Sequence, residues 1–215
     1  MPRLPPIPTA IVGLAVAAMI ALGLWQLDRR AWKHELIARY TANLSAPAIA
    51  FPRYPVGEEY LYRRASAFCT EPVGWQRRGG HGADGRAGYR LIAECRRGGA
   101  EGPVLLVALG VAADPGFTPA WKGGQVSGVI VPAPTNESLI GSLFAHQTGP
   151  QPLMLVAETP PPGLSANARP DPTEIPDNHL AYAVQWFLFA LVAAVIYLLA
   201  LRRRAGKPGS APPKD

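Results

Sequence analysis

One histidine and two aromatic residues stand at the start of the last apolar segment of the chain. His179, Tyr182 and Trp186 are three and four residues apart, a spacing that places them on one face of an α-helix. A histidine titrates near neutral pH, and its neutral imidazole can bind a metal ion or make hydrogen bonds. Aromatic rings favour the water–lipid boundary, where they would form an apolar wall beside the imidazole. The residues alone leave open whether His179 is a ligand or an interfacial hydrogen-bonding residue.

The segment that positions these residues has the length and composition of a membrane span. From Ala181 to Leu201 there are 21 residues without a charge. At 1.5 Å per residue this length crosses a hydrocarbon core of about 30 Å, and backbone groups in lipid must find partners within the segment. The sequence therefore predicts a transmembrane helix over 181–201, followed by a basic tail over 202–215.

A second apolar segment, Ile7–Leu27, follows a short tail over residues 1–6. A cleaved signal peptide is the competing interpretation. The run is longer than the apolar region of a typical signal peptide, and Asp28 and two arginines follow it where a cleavage site requires small residues. We therefore expect an uncleaved transmembrane helix.

Small residues predict how the two spans contact each other. Gly13, Ala17 and Ala21 recur at every fourth position of the first span, a pattern that permits close helix packing. On the second span the small residues near one face are Ala183, Ala190 and Ala194. We expect these two faces to meet; the alternative is two independent anchors in lipid.

The charges at the ends of the spans predict the topology. Arg202, Arg203 and Arg204 follow the second span and place the C-terminal tail in the cytoplasm, since cytoplasmic flanks are rich in basic residues. Two spans then place both termini in the cytoplasm and residues 28–180 outside it. Basic residues directly after the first span conflict with this rule, and we expect that they serve another role. They are Arg29, Arg30 and Lys33.

Composition excludes some classes of function. The chain has 215 residues and a net charge of +6, but several basic residues flank the apolar segments, which indicates membrane topology and not nucleic-acid binding. Cys69 and Cys95 form no C-x-x-C motif, which argues against a thioredoxin-like site, and no C-x-x-C-H motif for c-type haem attachment. The two could form a disulfide in an oxidising compartment, but cysteines on two strands need not face each other.

The helical pattern continues beyond the first span, over Leu24–Tyr40. Arg29 lies within its aromatic stripe, among Trp25, Trp32 and Tyr40, whereas an ordinary amphipathic helix separates arginines from aromatic residues. One interpretation is that the guanidinium reaches toward lipid head groups. The other is that the rings hold the arginine for a carboxylate.

Short apolar stretches alternate with turn residues between the two spans. Strands are predicted over Tyr62–Thr70, Tyr89–Cys95, Val104–Val111, Gln125–Val131 and Pro152–Glu158. We expect a turn region over Glu71–Gly88, a short helix or turn over Leu139–His146 and an extended linker over Pro160–Ile175. This pattern predicts an α+β membrane protein, in which two transmembrane helices enclose a small antiparallel β-rich domain, barrel- or sandwich-like, outside the cytoplasm.

Catalytic motifs are absent from the sequence. It contains no G-x-S-x-G, no P-loop, no H-E-x-x-H and no G-x-G-x-x-G. His34, His81 and His146 are scattered, and nothing pairs a nucleophile with a base. The sequence therefore predicts a binding or assembly protein and not an enzyme.

Motifs at both ends of the chain carry a resemblance. Residues 25–33, W-Q-L-D-R-R-A-W-K, resemble the W-Q-x-x-R-x-x-W-K motif of the SURF1 family. Residues 177–187, D-N-H-L-A-Y-A-V-Q-W-F, resemble its N-N-H-L-x-Y-A-x-x-W-F motif. The family's Y-R, G-Y and V-T-G elements have counterparts at Tyr62-Arg63, Gly88-Tyr89 and Val126–Gly128. Asp177 departs from the first asparagine, and Val107–Val111 keeps only the glycine of the family's N-R-G-W-like element.

The resemblance implies assembly of haem-copper cytochrome c oxidase. Family members assist the maturation of oxidase subunit I, and bacterial members are associated with binding haem a and handing it over. The family's histidine corresponds to His179, the expected ligand of the haem iron. Tyr182 and Trp186 would flank the macrocycle, and Arg29 or Lys33 would pair with a propionate.

The resemblance also implies the surroundings of the protein. Expected partners are oxidase subunit I, haem A synthase and the lipid bilayer, with no nucleic acid. The expected location is the bacterial inner membrane, with the bulk of the chain in the periplasm. Two other functions stay open at this point: a scaffold for subunit I that holds no cofactor, and a two-span periplasmic sensing or envelope-scaffold protein.

Overall fold

Along the sequence, two long helices flank a β-sheet in the computed structural model, which describes residues 5–52, 57–98, 104–134 and 152–205. The predicted helix or turn over Leu139–His146 lies outside the described residues. Helix α1 covers Pro6–Ser45 and helix α2 covers His179–Ala205. The strands are β1 Ile49–Ala50, β2 Arg64–Cys69, β3 Glu71–His81, β4 Ala87–Arg96, β5 Val104–Ala112, β6 Gly124–Pro132 and β7 Leu153–Ala157. Short 3-10 helices cover Glu58–Tyr60 and Pro172–Glu174. The α+β class is confirmed.

The chain divides into two compact units. The helical unit contains α1 up to Leu36 and the chain from Pro176 onward, including α2. The β unit covers Ile37–Ile175 and includes the last residues of α1. Helix α1 is therefore one continuous element that belongs to both units, as the predicted extension of the helical pattern to Tyr40 requires.

The described strands form one mixed sheet in the order β1-β2-β6-β7-β5-β4-β3. Strand β7 lies between β5 and β6, parallel to β5 and antiparallel to β6, and β1 is parallel to β2. The prediction of an antiparallel sheet is therefore wrong for these two pairs. A parallel pair needs a long connection, and residues 113–152 between β5 and β7 supply one. Strand β7 is buried on both faces, which explains its uninterrupted apolar sequence.

The predicted turn region over Glu71–Gly88 is also wrong over most of its length. Its first eleven residues form β3, an edge strand that pairs with β4 from Glu71 opposite Arg96 to His81 opposite Ala87. Glycine and arginine conceal this strand in the sequence because an edge strand buries little of its surface. Only the residues between His81 and Ala87 make the turn.

The sheet is curled, and a disulfide joins its distant parts. Cys69 on β2 is bonded to Cys95 on β4, with the two Cα atoms 5.4 Å apart. The Thr70 N–H donates to the Arg96 carbonyl beside it. The largest fully buried side chains include Leu91, Ile92, Leu109, Ile130 and Leu155. Burying an aliphatic side chain of this size contributes about 1.5–3 kcal/mol.

The end of α1 is fixed within the β unit. Asn43 donates its side-chain amide to the carbonyls of Glu59 and Leu61. The Tyr40 and Tyr62 rings lie 4.9 Å apart, and burial raises the pKa of both phenols. Tyr62 adopts a φ of 60°, a left-handed conformation that is rare for a bulky residue, and its N–H donates to the Ile130 carbonyl. These contacts connect the helix to the strand β6.

Both helices are candidates to span a membrane. Each contains an 18-residue window with a mean hydropathy above 2, and only 6% of each window is buried within the protein. Leu14 of α1 is 72% exposed and Ile196 of α2 is 62% exposed. Such apolar exposure along the length of a helix requires a lipid or protein surface to cover it.

Within the helical unit, α1 and α2 run antiparallel and touch along one stripe of each helix. Thr9 near the start of α1 is hydrogen-bonded to Tyr197 near the end of α2, and Gln26 is hydrogen-bonded to His179. The less exposed residues of α1 recur every three or four positions: Thr9, Val12, Val16, Met19, Gly23, Gln26, Arg30 and Lys33. This repeat is that of a left-handed antiparallel helix pair.

The predicted contact face of α1 is wrong. Gly13, Ala17 and Ala21 are exposed, and a Cβ on Gly13 would have no neighbour within 4 Å. Gly23 is the small residue at the contact, where an added Cβ would lie 2.5 Å from the Phe187 ring. On α2 the predicted small residues do lie on the less exposed stripe: Ala183 and Ala190 are 1% and 5% exposed, and Ala194 is half-buried. The contact face of α1 is formed by residues spaced alternately three and four positions apart. The small residues at every fourth position lie on another face.

Gly23→Leu should weaken the contact between α1 and α2, because overpacking against the Phe187 ring costs about 1–3 kcal/mol. A short bifunctional thiol reagent applied to a Thr9→Cys, Tyr197→Cys protein reports this contact, since the native cysteines are in a disulfide. Gly13→Leu is the matched control and should leave the cross-linking yield unchanged. Equal yields from both leucine variants would contradict the assigned contact face.

Candidate functional site

The candidate site lies at the end of the helical unit where α2 begins. Helix α2 starts at His179 because the preceding residues supply its cap: the Asn178 carbonyl accepts from the Tyr182 N–H, and the Asp177 carboxylate accepts from the His179 N–H. Pro176 precedes this cap and favours an extended chain. The sequence P-D-N-H therefore places an imidazole on the first turn of the helix.

His179 is held by a residue of the facing helix. Its Nδ1 lies 2.7 Å from Oε1 of Gln26. An amide oxygen only accepts hydrogen bonds, so Nδ1 carries the proton and donates it. In the neutral ring the other nitrogen, Nε2, carries the lone pair, and no described residue is hydrogen-bonded to it. The contact fixes both the tautomer and the orientation of a half-buried imidazole, which is the arrangement that metal-binding histidines use.

Asp177 interacts with two basic side chains at this end of α1. Its Oδ2 lies 2.9 Å from Nε2 of His34 and 3.9 Å from Nε of Arg30. Partial burial raises the pKa of the Asp177 carboxyl, but hydrogen bonds from His34 and the His179 N–H, with both imidazoles nearby, bring the pKa below its usual value. Lys33 donates its ammonium group to the Pro176 carbonyl. Arg30, Lys33 and His34 thus hold the residues that precede α2 against α1.

The structure brings together only part of the predicted site. His179 and Trp186 lie half-buried along the stripe that faces α1, and the Trp186 ring contacts Phe189. Tyr182 is 50% exposed, because the three-four repeat that begins at His179 continues at Ala183. Arg29 is exposed, with its guanidinium 4.5 Å from the centre of the Trp32 ring. Of the two interpretations of Arg29, the structure shows the ring contact and no carboxylate from a described residue.

Sequence reasoning missed Gln26 as the partner of His179 and Asp177 as the partner of His34. For Gln26 the sequence contained a signal for its position on the helix, although not for its partner. Gln26 and Arg30 continue the three-four repeat that runs through Gly23, which places polar residues on the contact face beyond the end of the apolar span. No group of three or more metal-binding side chains occurs in the part of the chain that the structure describes. His179 belongs to no such group among the described residues, and its one side-chain hydrogen bond there is with Gln26.

These features define a class: an α+β protein with two long helices, a mixed sheet between them in sequence, and an oriented histidine at the start of the second helix. The family model of the SURF1 family matches residues 13–191, which include both terminal motifs, and the chain belongs to this family. No curated protein matches the chain. The SURF1 family is a family of assembly factors associated with cytochrome c oxidase and is not a known enzyme class.

Asp177→Asn, which restores the family's asparagine, should remove a pH-dependent contribution to stability. Because the pKa of Asp177 is lower in the folded protein, this contribution is complete above the ordinary carboxyl pKa of about 4 and is lost as the pH falls through the folded pKa. In detergent, the variant should have a lower thermal midpoint at neutral pH, and the difference should shrink below about pH 4. A pH-independent difference would contradict this assignment.

Proposed function

We propose that this protein assists cytochrome c oxidase assembly by binding haem a at His179 and supporting its insertion into subunit I. The observation that carries the proposal is the hydrogen bond between His179 Nδ1 and Gln26 Oε1, which leaves Nε2 as an oriented ligand. Family membership supports the oxidase as the client.

The residues at the site fit the group. Haem a, when bound, would supply an iron that accepts an imidazole nitrogen as an axial ligand. His179 would provide that nitrogen through Nε2, and Gln26 would hold the ring in place. Trp186 and the exposed Tyr182 ring would offer apolar surface to the macrocycle. A single oriented histidine suits a metal that is already chelated, as the iron of a haem is.

Arg29 is the cation that we assign to a haem propionate. Arg30 and Lys33 are engaged with Asp177 and with the Pro176 carbonyl. The Arg29 guanidinium is exposed, and its contact among the described residues is with the Trp32 ring, which leaves its N–H groups available. Guanidinium groups pair with carboxylates in a bidentate manner. Haem A synthase would be the donor of haem a, and subunit I the acceptor.

We place the protein in the bacterial inner membrane, with both termini in the cytoplasm and the β unit in the periplasm. The arginines at the end of α2, Arg202–Arg204, support a cytoplasmic end. The Cys69–Cys95 disulfide supports an oxidising compartment for the β unit. The contacts of Arg30 and Lys33 account for the basic residues on the opposite side, since these contacts require them there.

His179→Ala should abolish the Soret band of full-length protein purified after co-production with haem A synthase. Gln26→Leu should weaken haem a binding about 10–100-fold and change the spectrum, because the imidazole is no longer held. Gln26→Glu should keep more of the binding, since a carboxylate oxygen also accepts from Nδ1. Arg29→Ala should weaken binding less than His179→Ala, because it removes a pairing charge and not a ligand.

Gln185→Leu is the matched control, because Gln185 is exposed on α2 and lies off the contact face. It should leave binding and spectrum unchanged. An unchanged spectrum in the His179→Ala protein would show that His179 is not the ligand. If wild-type protein supports oxidase assembly but binds no haem a, the scaffold function without cofactor replaces our proposal.

Alkaline phosphatase fused after Ala113, between β5 and β6, should be active, and the same enzyme fused after Arg204 should be inactive. The enzyme folds only where its disulfides form, so it reports the periplasmic side. In denatured protein from cells lysed without reductant, Cys69 and Cys95 should resist a maleimide, and they should react once a reductant is added. The reverse pattern of phosphatase activity would overturn the topology.

A further inference from the structure

The β unit contains a cavity that the proposed haem site does not use. It has a volume of about 740 Å³, which lies within the range of about 300–1,000 Å³ typical of ligand sites. All residues that line it belong to the β unit, from Leu44 at the end of α1 to Pro170. The cavity is therefore a property of this unit alone.

The floor of the cavity is one row of the sheet. Arg64 on β2 is directly opposite Val129 on β6, which is directly opposite Val156 on β7. Residues paired in this way extend from the same face of a sheet. The two valines are buried, at 7% and 5% exposure, and Arg64 at the end of the row is exposed. The row thus offers an apolar floor with a guanidinium at its edge.

One wall is an extended segment that returns after β7. Ser165 exchanges backbone hydrogen bonds with Val111 of β5, and the Ala166 carbonyl accepts from the Ala83 N–H. Beyond Asn167, Ala168 and Arg169 make no hydrogen bond to a described residue. This wall therefore presents extended backbone with open polar groups, which an added strand can pair with.

Asn167 lies in the same wall and is 5% exposed. Its side-chain nitrogen donates to the carbonyl of Ala108 on β5 and to the carbonyl of Ala157, the last residue of β7. Its Oδ1 is buried and receives no hydrogen bond from a described residue. A buried amide oxygen without a donor is costly, so a bound N–H group would stabilise it.

Charge at the rim favours an anion. Arg64 and Arg169 line the cavity, with Glu158 as the acidic residue among its lining. Arg64 makes one long contact, of 3.4 Å, with the Ala46 carbonyl, and Arg169 pairs with no described residue. With two guanidinium groups and one carboxylate, the lining has a net positive charge. A ligand with a carboxylate would neutralise this charge.

We propose that this cavity binds an extended peptide segment that carries a carboxylate side chain flanked by apolar side chains. The backbone of such a segment supplies N–H groups for the wall and for Asn167, its apolar side chains cover the valine floor, and its carboxylate pairs with Arg64 and Arg169. A small inorganic anion would pair with the arginines but would leave the wall and the valine floor without contacts. A neutral peptide would contact the wall and the floor but would leave the arginines without a carboxylate.

The test uses full-length protein in detergent and a fluorescein-labelled degenerate pentapeptide. Its second and fourth positions are glutamate and its other positions are an equal mixture of valine, isoleucine and leucine. Fluorescence anisotropy should show binding that is roughly tenfold weaker for the matching glutamine peptide and for the Arg64→Gln and Arg169→Gln proteins. Glu158→Gln should strengthen binding, because it removes a repelling carboxylate from the lining.

Arg77→Gln on edge strand β3 is the matched control, since it removes the same charge outside the cavity and should leave binding unchanged. If Arg77→Gln weakened peptide binding as much as Arg169→Gln does, the effect of both variants would come from the net charge of the protein surface. That result would overturn the proposal. Equal binding of the glutamate and glutamine peptides would also overturn it. Displacement of the peptide by sodium acetate alone at matched ionic strength would assign the site to a free anion instead. His179→Ala should not change peptide binding, which separates this test from the haem proposal.

Discussion

The close approach of the two helices at Gly23 is the constraint on which the histidine site depends. Gly23 has no side chain, so the Phe187 ring occupies the space beside it. Gln26 lies three residues further along α1, about 4.5 Å of helix rise, and there it reaches His179. The register set at Gly23 therefore decides that an amide oxygen, and not a lipid-facing side chain, meets the imidazole. A hydrogen bond of 2.7 Å tolerates little displacement of either helix.

Charged side chains also position the start of α2. The first turn of α2 has unpaired N–H groups, and Asp177 accepts from one of them while it also meets His34 and Arg30. One carboxylate thus serves as a helix cap and as the partner of two basic side chains on α1. Exposed ion pairs of this kind contribute little by themselves. Their role here is positional, because they hold the start of α2 against one defined stretch of α1.

The β unit is held together by contacts that are distant in sequence. Strand β7 is the last strand in the sequence, yet it lies in the interior of the sheet between β5 and β6. The disulfide joins strands that are second and sixth in the sheet order, which a flat sheet would keep apart. The segment that contains Asn167 contacts the end of β7 and lines the cavity there.

The sequence by itself determined the two apolar helices, the continuation of α1 to Tyr40, five of the strands and the family. Length, apolar runs and local motifs are properties of neighbouring residues, so they can be read directly. Only the tertiary structure decided that Gly23 and not Gly13 meets α2, since a four-residue repeat shows which residues share a face but not which face has a partner. It alone decided the parallel pairs of the sheet, the edge strand β3 and the bond between Cys69 and Cys95. The contact between Gln26 and His179 joins residues 153 positions apart, and no local pattern specifies a pair at that separation.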